Sequence, residues 1–87
     1  MNTTETTQNH PPAVYTAMLR DYQRTAETVS RREKELKQEL QRVCTEPGSG
    51  RRRQELIRRI LLLGEELGEL RDAMHCIRAY AEREVQA

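Results

Sequence analysis

The residues best suited to chemistry lie in one stretch. Glu65, Glu66, Glu69 and Asp72 form an acidic run, and His75 and Cys76 follow Asp72 closely. Paired carboxylates serve acid–base catalysis or hold a cation, and a His/Cys pair can supply a nucleophile or metal ligands. The spacing argues against both uses. Neighbouring residues on a helix point about 100° apart, so His75 and Cys76 diverge. No Cys-x-x-Cys or His-Glu-x-x-His spacing is present. We therefore expect no catalytic residue, no metal, no cofactor and no small-molecule substrate; the chain reads as a non-enzyme.

A second concentration of chemistry is basic. Arg51, Arg52, Arg53, Arg58 and Arg59 crowd a short segment whose only carboxylate is Glu55. Cations at a helix N-terminus oppose its dipole, so this placement is electrostatically poor. Arg51, Arg52, Arg53 and Arg58 are candidate contacts for phosphate or an acidic partner. No aromatic residue interleaves with them, and no helix-turn-helix, finger or RNA-recognition pattern is present. Nucleic acid is the alternative partner, and a protein partner is favoured over it.

These residues need long helices to position them. The chain has 87 residues, of which 33% are charged. Its 15 Lys and Arg almost balance its 14 Asp and Glu, so it is not a generic polyanion binder. Three Tyr, with no Phe or Trp, leave little to fill a deep core. This composition suits long helices or a coiled coil. The opening "MNTTETTQNHPP" lacks a basic segment and an apolar segment, so no targeting signal is expected. The apolar run Ile60–Leu63 is far too short to span a membrane. Cys44 and Cys76 form no metal-type pair, and the expected compartment is the reducing cytoplasm.

The pattern divides the chain into a polar tail over 1–11, a helix over 12–45, a turn over 46–50 and a second helix over 51–85. Pro12 suits a first helical turn. Tyr15, Tyr22, Val29, Leu36 and Val43 recur every seventh residue as d positions, with Leu19, Ala26, Glu33 and Leu40 as a positions. Glu33 is the one polar intruder. It is expected to snorkel outwards or reach Lys37. "TEPGSG" ends the first helix, and Ser49 is the N-cap candidate for the second. There Leu56, Leu63, Leu70 and Ile77 stand at d, and Ile60, Leu67, Met74 and Ala81 at a.

A short turn between two such helices predicts an antiparallel helical hairpin, an all-α fold. Folding it with d against d sets Leu36 by Leu63, Glu33 by Leu67 and Ala26 by Met74. On the flanks it sets Glu39 by Arg59, Arg32 by Glu66, Met18 by Tyr80 and Lys37 by Gly64. Leu61 and Leu62 fall outside this seam, and Ile57 is covered on one edge only. Ile57, Leu61, Gly64 and Gly68 share one side of the helix. Paired small residues let another backbone approach closely. Ile57, Leu61, Leu62, Gly64 and Gly68 are therefore the expected interface for a homo-oligomer or a partner helix, the simplest product being a dimeric four-helix bundle. In size and plan the chain resembles helical-hairpin families such as secretion-needle subunits, though its "EPGSG" turn lacks the tryptophan of hairpins with a Trp-x-Gly turn.

Overall fold

The structure is a computed structural model and describes residues 13–86. Two helices account for it: α1, Ala13–Val43, and α2, Gly50–Gln86. They pack on each other along their length as a helical hairpin. The expected tail and the placement of Pro12 lie outside the described residues. At about 1.5 Å per residue, the 37 residues of α2 span roughly 55 Å.

Burial follows the heptad pattern. Leu36 and Leu56 are sealed, at 1% and 0% exposure, and Ala26, Val29, Leu67, Met74 and Ala81 are buried as well. Ala26, Val29, Leu67 and Met74 form one cluster, flanked by Leu19, Tyr22, Leu63 and Leu70. The core is a single seam of side chains, as two helices alone allow.

The first helix ends at Val43, two residues before the expected 45. The last α-type bond runs from Cys44 N–H to Leu40 C=O at 2.9 Å, and Glu46 N–H then closes a tighter turn on Val43 C=O at 3.0 Å. Pro47 keeps Glu46 out of the helical region. Gly48 takes φ +75°, a left-handed conformation that a β-carbon disfavours.

Ser49 occupies the expected cap position, since its carbonyl accepts the first bond of α2 from Arg53 N–H at 2.9 Å. Its hydroxyl, however, turns backwards. It lies 2.9 Å from Val43 O and 2.7 Å from Glu46 O. With one proton to give, it donates to one of the two at a time, the last carbonyl of α1 or that of Glu46 in the turn. Thr45 Oγ1 likewise donates to Arg42 O at 3.2 Å. The turn thus satisfies carbonyls that a helix end leaves without partners.

The contacts between helices correct the expected register. Tyr80 meets Tyr15 edge-on, with ring centroids 5.8 Å apart, a pair that the d-on-d alignment does not give. Glu33 lies against Gly64 rather than level with Leu67. Glu39 pairs with Arg52, not Arg59, and Arg32 turns to Glu35 on its own helix at 3.8 Å, not to Glu66. The three cross-helix contacts move in one direction, by three to seven residues. Val29, Leu67, Ala26 and Met74 share one buried cluster, with Tyr22 packed against it.

Candidate interaction surface

Glu33 explains one of the two glycines. Its a position points it into the seam, where a buried charge is unfavourable. The side chain escapes sideways across α2. Its Oε1 reaches Lys37 Nζ at 3.8 Å, while Oε2 lies 3.3 Å from the point where a β-carbon on residue 64 would stand. Gly64 is therefore the floor under a carboxylate of its own chain. The position thus has a neighbour within its own chain, a contact that the spacing of the two glycines does not indicate. At Gly68 a β-carbon would meet nothing within 4 Å, so the hairpin itself leaves that position open.

The apolar members of the expected interface stand in solvent. Leu61 is 63% exposed, Leu62 58% and Ile57 46%. Leu61 and Leu62 straddle the back of α2, opposite the seam, and Ile57 lies one turn nearer the tip. Covering what remains exposed would contribute roughly 1 kcal/mol for each. A second apolar group, Val14, Met18 and Tyr80, is exposed at the open end of the hairpin. The heptad count does not single it out, because it sets Met18 against Tyr80. Beside it, partial desolvation first, then the Glu84 carboxylate and Tyr80, hold the Tyr15 phenol above its usual ionisation range.

The arginine cluster divides in two. Arg52 pairs with Glu39 across the helices and with Glu55 on its own helix at 3.3 Å. The Arg52 hydrogen bond lowers the ionisation range of the Glu39 carboxyl, and the same contact raises that of the guanidinium. Arg52 is thus engaged within the hairpin. Arg51, Arg53, Arg58 and Arg59 are exposed and form no ion pair among the described residues.

Cys44 and Cys76 are free, exposed thiols at different levels of the hairpin. Among the described residues, no three His, Cys, Asp or Glu side chains converge, and no helix is long and apolar enough to cross a membrane. An open groove of about 520 Å³ between the helices has Leu67 and Met74 at its floor and Glu27, Arg31, Lys34 and Arg71 at its rim. No family model, curated protein or solved structure matches the chain.

Proposed function

We propose that this chain is a small non-enzymatic coiled-coil interaction protein, which self-associates or receives a partner helix on the outward face of α2. The observation that carries this reading is the exposure of Leu61 and Leu62, side by side on a helix whose seam is already complete without them. Scattered apolar residues on a surface are ordinary, but Ile57, Leu61 and Leu62 adjoin in a chain with few apolar residues to spare. Self-association into a four-helix assembly is the simplest form. Free, exposed cysteines suit a reducing cytoplasmic setting.

A photoreactive side chain substituted for Leu62 tests the reading in cells. Irradiation should give a defined adduct, to the same chain or to another protein, and the same group at exposed Gln38 should give none. No adduct from position 62 would overturn the proposal.

The exposed, unpaired state of Arg51, Arg53 and Arg58 supports a second reading, contact with nucleic acid through the tip. Fluorescence anisotropy with DNA and RNA at low salt decides it. Binding that falls steeply with salt, and is lost in Arg51→Ala/Arg53→Ala, would promote it; no binding at low salt would end it.

A further inference from the structure

We propose that the occupant of the α2 face is a second copy of this chain, bound antiparallel about a twofold axis beside Leu61 and Leu62. This rests on the interaction reading above and commits it to one partner. Arg51, Arg58, Leu61, Leu62, Glu65 and Asp72 share the exposed back of α2. Positions 51, 58, 65 and 72 are heptad steps, which drift only about 20° each on a straight helix. In chain order this face carries two cations, two leucines and two carboxylates. None of its four charges is paired within the chain among the described residues.

A face that reverses sign about its apolar centre is complementary to itself after a twofold rotation. The antiparallel arrangement brings Arg58 within about a turn of Glu65 of the partner subunit, and Arg51 within about a turn of Asp72 of the partner subunit. Symmetry makes each pair twice. A parallel copy would set like charges together. Glu55 is the one carboxylate in the basic half. Arg52 holds it at 3.3 Å, which offsets its repulsion from Glu69 of the partner subunit. Three half-exposed apolar side chains per copy fall short of the roughly 1,200 Å² typical of stable interfaces. The dimer is therefore expected to be weak, with a dissociation constant on the order of tens to hundreds of micromolar, and to weaken further with salt.

Charge exchange tests the arrangement by sedimentation equilibrium on the full chain, from about 10 to about 500 micromolar. Arg51→Glu/Arg58→Glu makes the face wholly acidic, and Glu65→Arg/Asp72→Arg makes it wholly basic. Each alone should bind itself at least about tenfold more weakly than wild type. Their equimolar mixture should form a heterodimer tighter than the wild-type homodimer, and more so at low salt. Circular dichroism controls for folding, which these exposed positions should not disturb. Wild type that stays monomeric throughout overturns the inference, as does a mixture no tighter than its components. Should Leu61→Glu/Leu62→Glu abolish association while the charge variants behave like wild type, the antiparallel arrangement fails and the interaction reading stands. Loss of the adduct from position 62 would remove both.

Discussion

The Glu33 carboxylate lies over Gly64, with Oε2 3.3 Å from where a β-carbon would stand, and Lys37 Nζ 3.8 Å from its other oxygen. A charged residue at a seam position and a glycine in mid-helix are thus two halves of one local solution. The ion pair is exposed on the lysine side and contributes little. Glu33→Leu should therefore stabilise the hairpin by about 1 kcal/mol, raising Tm by roughly 4–8 °C for a domain this small. A thermal melt followed by circular dichroism reads it. A lower Tm would mean that the carboxylate stabilises the packed state.

Gly68 offers the contrasting case. Nothing lies within 4 Å of its missing β-carbon, and its backbone is helical. Gly68→Ala should add about 0.5–1 kcal/mol through helix propensity alone. Urea unfolding measures it. A loss of stability would show that the position is less open than its surroundings indicate.

The turn depends on two adjacent residues for different reasons. Gly48→Ala places a β-carbon on a left-handed backbone and should cost about 1–2 kcal/mol, although nothing crowds the site. Ser49→Ala removes the hydroxyl from the carbonyls of Val43 and Glu46 and should cost about 1 kcal/mol. Both effects are read from urea midpoints. A neutral Ser49→Ala would mean that water replaces the hydroxyl.

Much of this architecture is legible in the residues. The spacing of Leu56, Ile60, Leu63 and Leu67 gives the second helix and its inner face, and Pro47-Gly48 gives the reversal. The register is not legible to the same degree. Both helices repeat every seven residues, so sliding one along the other keeps apolar on apolar, and Arg52 and Arg59 are equivalent partners for Glu39 on paper. The structure selects Arg52. The exposure of Ile57, Leu61 and Leu62 follows directly from the heptad count, whereas the role of Gly64 needed Glu33 placed opposite it.

The Glu39–Arg52 pair carries a pH signature. Its pairing with Arg52 holds the Glu39 carboxyl below the usual range in the folded state. A lowered folded pKa contributes stability that is present above the unfolded carboxylate range and is lost as pH falls through the lowered value. Side-chain carboxyl titration by NMR should show Glu39 titrating below the ordinary glutamate range, and Arg52→Ala should raise it towards that range. An unchanged Glu39 titration in that variant would assign the shift to other charges.

The most direct measure of the central claim, self-association through the back of α2, is light scattering on the purified chain. Wild type and Leu61→Glu/Leu62→Glu should be compared at matched concentrations up to several hundred micromolar. The account predicts a wild-type mass that climbs from one chain towards two with concentration, and a variant that stays at one chain with unchanged helicity. Equal masses for the two proteins at every concentration would contradict it.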